Sequence, residues 1–269
     1  MAITSLDQWI SAAKKRVIWK KTNPRTAVSN TWFSLFDVVG NPGAGVLAVG
    51  NTANGLVHTD AIAGYPLIGA FGASNFGTLG RVDFSNTVAS RLRMYDRVFV
   101  AGAYVFDANV TLTAQPSYLG RIPDNFNAAA CAGQTEIWVE TVTAATGNLA
   151  VNVTYTNDEG VTGRTTGATG IGAAPTLGRC WQLPLQAGDR GVSQITNVTG
   201  SVATAGTFNV MVLRPLGGAR IITGNSGDVQ DFIRTGMRRI MADSAIYCMS
   251  IPDSTSTGAP DIEIDIVSV

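Results

Sequence analysis

Residues 148–157 read Asn-Leu-Ala-Val-Asn-Val-Thr-Tyr-Thr-Asn, and residues 208–213 read Phe-Asn-Val-Met-Val-Leu. Apolar residues alternate with small or polar ones in both stretches, at Leu149, Val151, Val153 and Tyr155 and again at Phe208, Val210 and Val212. This period of two is typical of strands that bury one face. Turn-forming residues, and no helical repeat, lie between the two stretches. We therefore predict a mainly β protein, an antiparallel β-sandwich of jelly-roll-like form, with this region at its core.

The composition favours a protein that associates with other chains. Lys plus Arg and Asp plus Glu both number 19, so the formal net charge is zero and there is no excess of positive charge for nucleic acid. Charged residues make up 14% of the chain, whereas about 25% is usual in soluble proteins. A surface with so few charges is poorly protected against association. We therefore expect a homo-oligomer that does not bind nucleic acid directly.

The chain is predicted to have two parts: an N-terminal helix with a basic arm at residues 1–22, and a single β-sandwich domain at residues 23–269. Ser5 and Gln8 match a capping box, which predicts that the short helix begins there. Within the domain, the residues from about 40 to 80 are small and rich in glycine, and we predict a long surface excursion. Ordered loops of this length usually serve an interface or a site.

The basic arm supplies the candidate partner-binding residues. The helix is followed by a cluster of cations around apolar side chains, and the candidates are Lys14, Lys15, Arg16, Trp19, Lys20 and Lys21. One interpretation is an arm that docks on an acidic partner surface or on nucleic acid. The other is the end of a helix followed by an edge strand whose lysines block unwanted strand pairing.

Two further elements are predicted near the C-terminus. Apolar residues recur at helical spacing after residue 225 and predict a second helix with Asp228 as its cap, at Phe232, Ile233, Met237, Ile240 and Met241. Residues 261–267 alternate isoleucine with carboxylates and predict an amphipathic strand. Its carboxylates form a row that either binds calcium or protects a sheet edge.

The residue types that carry catalysis or bind metals are sparse. His58 is the only histidine, which excludes a metal site with two histidines, and we assign it no chemistry. Cys131, Cys180 and Cys248 lie far apart and show no metal-ligand spacing, so we expect buried reduced thiols. No cofactor motif is present. The carboxylate pair that could form a glycosidase dyad is Glu136 and Glu140, which share one face and are expected to point outward as solubilising charges.

No apolar run approaches the roughly 18 residues that a membrane span requires. The first five residues also lack the basic and then apolar layout of a signal peptide. We therefore expect a protein that is made in the cytoplasm and has no membrane partner.

Three segments in the second half of the chain suggest a family. They are Tyr155–Thr165, which begins Tyr-Thr-Asn, Leu183–Val192, which reads Leu-Pro-Leu-Gln-Ala-Gly-Asp-Arg-Gly-Val, and Val212–Leu216, which ends Arg-Pro-Leu. In this order they resemble recurring motifs of virion structural proteins of tailed bacteriophages, and Met1–Trp9 resembles the beginning of these proteins. The motifs contain turn formers such as Gly160 and Gly188, so they mark chain reversals rather than chemistry.

The resemblance implies a non-enzymatic virion protein. We predict a decoration or cement protein that binds the major capsid protein on the outside of the capsid, as a trimer, because capsid lattices offer threefold positions and closed cyclic symmetry is common. The first alternative is an adaptor or fibre-associated protein of the tail or neck. The second is a polysaccharide-binding or polysaccharide-hydrolysing module that uses Glu136 and Glu140, with Trp138 between them as a residue able to stack on a sugar.

Overall fold

The structure is a computed structural model that describes residues 5–48, 54–72, 74, 76–122, 135–202 and 204–268. Within these ranges it contains eighteen strands, one α-helix and one 3-10 turn, and its sheets are antiparallel, so the predicted mainly β fold is confirmed. None of the helical segments in these ranges has the length and apolar character needed to cross a membrane. Cys131 lies outside the described residues.

The elements in chain order are α1 (Leu6–Ser11), β1 (Ala13–Lys21), β2 (Trp32–Ser34), β3 (Gly40–Asn41), β4 (Leu56–Val57), β5 (Phe76–Asn86), β6 (Ser90–Val105), β7 (Asn109–Thr111), the 3-10 turn (Leu119–Arg121), β8 (Glu136–Thr143), β9 (Asn148–Asn157), β10 (Arg164–Thr165), β11 (Thr169–Ala173), β12 (Arg179–Leu183), β13 (Val192–Gly200), β14 (Thr207–Ile221), β15 (Ser226–Gln230), β16 (Arg239–Met241), β17 (Ile246–Pro252) and β18 (Asp261–Ser268).

The chain divides into two compact units. Unit 1 comprises Met1–Gly45, Thr59–Asp96 and Leu216–Val269, and unit 2 comprises Val46–His58 and Arg97–Pro215. Residues 1–22 belong to unit 1, and residues 23–269 are shared between the two units. The predicted surface excursion at about 40–80 is also shared between the units, and it is not wholly at the surface: its buried apolar residues include Leu47, Tyr65, Ile68, Phe71 and Leu79.

Unit 1 contains a six-stranded sheet in the order β15–β5–β18–β1–β3, with β16 also paired to β5. Its inner face carries a continuous apolar layer because successive side chains of each strand alternate between the two faces. The buried members of that layer include Val17, Trp19, Val82, Phe84, Ile262, Ile264 and Ile266. A second group of strands in unit 1 pairs β17 with β2 and with residues 90–96 of β6.

Unit 2 contains a five-stranded sheet in the order β10–β9–β13–β7, with β11 also paired to β9. In the same unit, β8 pairs with β12 on one side and β14 on the other, and β4 pairs with β6. The alternating residues that predicted the sandwich core are all buried in the apolar cluster of this unit: Leu149, Val151, Val153, Tyr155, Phe208, Val210 and Val212.

The predicted N-terminal helix is present but short. Ser5 Oγ accepts a hydrogen bond from the backbone N–H of Gln8 at 3.2 Å, as the capping box requires. The helix ends at Ser11, and the cations that follow it lie in strand β1.

The predicted second helix was wrong. Residues 226–230 and 239–241 form β15 and β16, which both pair with β5. The residues between them form a turn, in which the Asp231 carboxylate accepts hydrogen bonds from the N–H groups of Ile233 and Arg234. Gly236 and Met237 have φ angles of +63° and +50°, a left-handed conformation that ends a right-handed helix. The predicted cap, Asp228, lies in β15 and binds Arg234, whereas the carboxylate that accepts backbone N–H groups is that of Asp231, in a turn between strands.

Candidate partner-binding surface

The basic segment of the sequence lies in strand β1, so its side chains alternate between two environments. Arg16 and Lys20 lie on the exposed outer face of the unit 1 sheet, together with Lys14. Trp19 and Lys21 point inward and are 1% and 0% exposed. Trp19 and Lys21 are therefore part of the unit 1 interior, and their assignment to an exposed docking arm is corrected.

Lys21 has a structural role inside unit 1. Its ammonium donates hydrogen bonds to the carbonyl oxygens of Pro42 at 3.1 Å and Gly43 at 3.4 Å. It also lies 5.0 Å from the centre of the Trp19 ring, a cation–π distance. Burial lowers the pKa of Lys21 to about 8, because water no longer solvates the charged form well. Lys21 therefore ties the start of the Gly-rich segment to β1.

The exposed cations of β1 are paired with the acidic row of β18. Arg16 Nε lies 2.9 Å from Asp265 Oδ1, and Arg16 Nη1 lies 3.5 Å from Glu263. Lys20 Nζ lies 2.5 Å from Asp261 Oδ2. The hydrogen bonds to Asp265 and Asp261 raise the pKa values of Arg16 and Lys20. The basic and acidic patterns of the sequence, read separately, thus belong to two neighbouring strands that neutralise each other.

The surroundings of the acidic row of β18 decide whether it could bind calcium. The acidic row of β18 faces the cations of β1 on one side, and on the other side Asp261 and Glu263 line a surface cavity together with Asp83 and Asp228. Over the described ranges, no group of three or more His, Cys, Asp or Glu side chains is arranged to hold a metal ion.

The two remaining candidates contact aromatic rings. Lys14 Nζ lies 4.7 Å from the centre of the Trp9 ring, and Lys15 Nζ lies 5.5 Å from that of Phe71. Lys14 is exposed and Lys15 is half-buried. The candidate residues that remain accessible on β1 are therefore Lys14, Lys15, Arg16 and Lys20.

The sequence motifs of the second half meet in unit 2, around the carboxylate of Asp189. Tyr155 Oη donates to Asp189 Oδ2 at 2.6 Å, and Asn157 Nδ2 donates to Asp189 Oδ1 at 2.8 Å. Arg164 binds the same carboxylate through both Nε and Nη2 at 2.8–3.1 Å. Burial would raise the pKa of Asp189, but the hydrogen bonds from these three side chains outweigh it, and the pKa lies below its ordinary value. We call these four residues the Asp189 cluster.

A second set of contacts joins the same two chain reversals. Arg190 Nη2 lies 2.9 Å from Glu159 Oε1, and the backbone N–H of Arg190 donates to Asp158 Oδ1 at 3.3 Å. The backbone N–H of Asp158 donates to the carbonyl of Gly191. The motifs thus bind each other and fix the ends of β9 and β13. Arg164 was not predicted, since nothing in its neighbourhood indicates the residue that it binds 25 positions later.

The carboxylate pair of β8 does not form an exposed dyad. Glu140 is 0% exposed, and its Oε2 lies 2.9 Å from Arg97 Nη2 and 3.3 Å from Asn209 Nδ2. Glu136 is half-buried and accepts a hydrogen bond from Trp138 Nε1 at 2.7 Å. The outward, solubilising placement expected for Glu140 was wrong, because the strand is covered on both faces.

The remaining reactive residue types are buried. His58 is 2% exposed, and its burial, with Arg97 and Arg121 nearby, holds its pKa well below the ordinary range. Cys180 and Cys248 are buried thiols, as expected. Burial also raises the pKa of Cys248, which keeps this thiol protonated.

No family model matches the sequence, and no curated protein matches it either. Among solved structures, the VP2 subviral particle of infectious bursal disease virus aligns with 100% of this chain and 83% of that chain, at 9% identity and a TM-score of 0.23. The T13 particle of the same virus aligns with 96% of this chain and 78% of that chain, at 9% identity and a TM-score of 0.20. At TM-scores this low, the likeness carries no argument about this chain's fold or function.

Proposed function

We propose that this chain is a non-enzymatic virion structural protein of a tailed phage, which binds the outside of the capsid as a decoration or cement protein. Its partner would be the major capsid protein, and its location the virion. The proposal rests on the motif resemblance and on the use that the fold makes of the motif residues.

The observation that carries the proposal is the Asp189 cluster. Tyr155, Asn157 and Asp189 come from motifs that recur in virion proteins, and here they hold two chain reversals of unit 2 together. Residues that satisfy one another's hydrogen bonds in this way stabilise a shape. A rigid antiparallel framework is what a subunit needs when its task is to bridge neighbouring capsid proteins.

The polysaccharide-hydrolysing alternative loses its only candidate pair. A general acid or base must reach its substrate, whereas Glu140 is fully buried and ion-paired with Arg97. The tail or neck adaptor remains an alternative, because a rigid β framework serves either place in a virion.

The number of copies per particle separates the two virion roles. Purified protein is added to undecorated capsids, and the bound copies are counted by quantitative mass spectrometry and located by electron microscopy. Decoration predicts binding over the whole head at every threefold position, whereas an adaptor predicts a single ring at one vertex. Light scattering of the free protein is expected to give a trimer, and a monomer at all concentrations would contradict the decoration proposal.

Attachment through β1 is tested with point variants. Deletion of residues 1–21 would remove the buried Val17 and Trp19 along with the exposed cations, so lost binding would only report unfolding. Lys14→Glu reverses an exposed charge and leaves the interior intact. Arg220→Glu, an exposed arginine on β14, is the matched control. We expect Lys14→Glu to weaken capsid binding and Arg220→Glu to leave it unchanged.

A further inference from the structure

Strand β1 has one edge that is only partly used. On one side it pairs with β18 from Ala13 to Lys20. On the other side it pairs with β3 only at Lys20 and Lys21. Pro42 follows Asn41, the last residue of β3, and has no N–H group with which to continue the ladder. Over the part of the chain that the structure describes, no strand pairs with Ala13–Trp19 on this second side.

The direction of the backbone groups identifies which residues face this edge. The N–H of Lys21 donates to the carbonyl of Pro260, on the β18 side, and the N–H of Thr22 donates to the carbonyl of Val39, on the β3 side. Successive residues of a strand direct their N–H and C=O groups to alternate sides. Lys14, Arg16 and Ile18 therefore direct theirs to the open edge. All three are exposed, and Ile18 has 40% of its surface accessible.

The N-terminal helix contacts both β1 and the far side of the sheet. Its Trp9 ring packs 5.5 Å from that of Phe232, which follows β15 on the far side of the sheet. A β-carbon built on Gly80 of β5 would also meet Trp9. The Trp9 ring also lies 4.7 Å from Lys14 Nζ, but among the described backbone hydrogen bonds none joins this helix to Lys14, Arg16 or Ile18.

The charged side chains of β1 determine which kind of strand can pair with its open edge. Antiparallel pairing of this edge with the same edge of a second copy would place Lys14 and Arg16 among the other copy's Lys14, Arg16 and Lys20, and like charges opposite one another are destabilising. The strand that β1 already accepts has the complementary pattern. In β18, Asp265 lies opposite Arg16 and Glu263 opposite Ile18 on the outer face, while isoleucines alternate with them on the inner face.

We propose that the open edge of β1, at residues 13–19, binds an extended acidic segment of the partner virion protein by strand addition. The segment has carboxylates at every second position, alternating with β-branched residues. Its backbone pairs with Lys14, Arg16 and Ile18, and a carboxylate of the segment lies beside Lys14, the exposed cation of β1 for which no carboxylate partner is described. Arg16 and Lys20 already bind carboxylates of β18. The identity of the partner rests on the proposed function, whereas the preference of the edge for an acidic strand does not.

The test uses the full-length protein and a fluorescent peptide with the pattern of residues 261–267, Asp-Ile-Glu-Ile-Asp-Ile-Val, with binding measured by fluorescence anisotropy. The control peptide carries Asn and Gln in place of the carboxylates. We expect the acidic peptide to bind at least about tenfold more tightly than the control, with affinity that falls as salt rises.

Two variants locate the binding. Ile18→Pro removes an N–H at the open edge but none that faces β18, so it should weaken acidic-peptide binding by about tenfold. A peptide that instead displaces β18 would bind this variant normally, and that result would overturn the proposal. Lys14→Glu should also weaken binding, while Arg220→Glu should not. Circular dichroism confirms folding, and if Ile18→Pro does not fold, equal peptide binding by Lys14→Glu and wild type would overturn the proposal.

Capsid binding is measured with the same variants. If capsids bind Ile18→Pro as tightly as wild type, the strand-addition proposal fails and the decoration proposal stands. Suppose that the peptide binds through the open edge but undecorated capsids bind neither wild type nor any variant. The preference of the open edge for an acidic strand then stands, and the decoration proposal fails.

Discussion

Asp189→Asn is the substitution that tests the role of the Asp189 cluster most directly. The carboxylate accepts hydrogen bonds from three side chains, Tyr155, Asn157 and Arg164, and its own side chain is 2% exposed. Asparagine has nearly the same shape, but it has no charge and presents an NH₂ donor toward groups that are themselves donors. The substitution therefore changes the chemistry of the cluster while leaving its volume almost unchanged.

The expected loss follows from the bonds that are weakened. Each hydrogen bond to a charged group contributes about 1.5–3 kcal/mol net, and the amide oxygen of Asn keeps part of this set. Arg164 is partly exposed, so its ion pair contributes at the lower end of the range. We expect Asp189→Asn to lower the free energy of unfolding of unit 2 by about 3 kcal/mol.

The assay is native-state hydrogen exchange of the amides of β9 and β13, because the chain forms two units and a single unfolding transition is not assured. Glu159→Gln is the matched control: Glu159 lies two residues after Asn157 in the chain reversal that Asp189 binds, pairs with Arg190 and is 59% exposed, so its loss should cost less than about 1 kcal/mol.

The pH dependence adds a second readout. Since the pKa of Asp189 is lower in the folded state than in the unfolded state, its contribution is present above about pH 4 and is lost as the pH falls through the folded-state pKa. Asp189→Asn should remove this part of the acid sensitivity. Equal protection in Asp189→Asn and Glu159→Gln, or an unchanged acid profile, would show that the cluster does not stabilise unit 2.

Three further substitutions test other parts of the structure. Trp19→Ala should lower the free energy of unfolding in urea by about 3–5 kcal/mol because Trp19 is buried. Its control, Lys14→Glu, should stay within about 0.5 kcal/mol of wild type. Equal effects of the two substitutions would mean that Trp19 is not a core residue. Glu140→Gln should destabilise by about 3–5 kcal/mol, because it leaves the Arg97 charge buried without its carboxylate, and a loss below about 1 kcal/mol would contradict the buried ion pair. The lowered pKa of His58 means that the unfolded state takes up a proton first, so stability should fall by up to about 1.4 kcal/mol per pH unit below about pH 6.5. His58→Gln, which removes the only histidine, should abolish that slope. A slope that persists in this variant would show that His58 does not cause this pH dependence of stability.

Local patterns in the sequence were sufficient for the fold class and for several elements. The alternation at residues 148–157 and 208–213 predicted buried strands correctly because one buried face per strand imposes a period of two. The capping box at Ser5 located a helix start because its hydrogen bond spans only three residues. By contrast, the apolar spacing after residue 225 predicted a helix wrongly, since pairing with β5 decides that segment.

The candidate surface depended on contacts between residues far apart in the chain. From the sequence alone, the cations near residue 16 and the carboxylates near residue 263 were separate features, and only antiparallel pairing across about 249 positions made them partners. Likewise, nothing local indicated that Glu140 would meet Arg97, or that Asp189 would bind Arg164. The sequence by itself determined the strands that bury one alternating apolar face, because that period of two is a local property. Only the tertiary structure decided which charges are neutralised and which strand edge stays open, because strand order and register arise from pairing between distant segments.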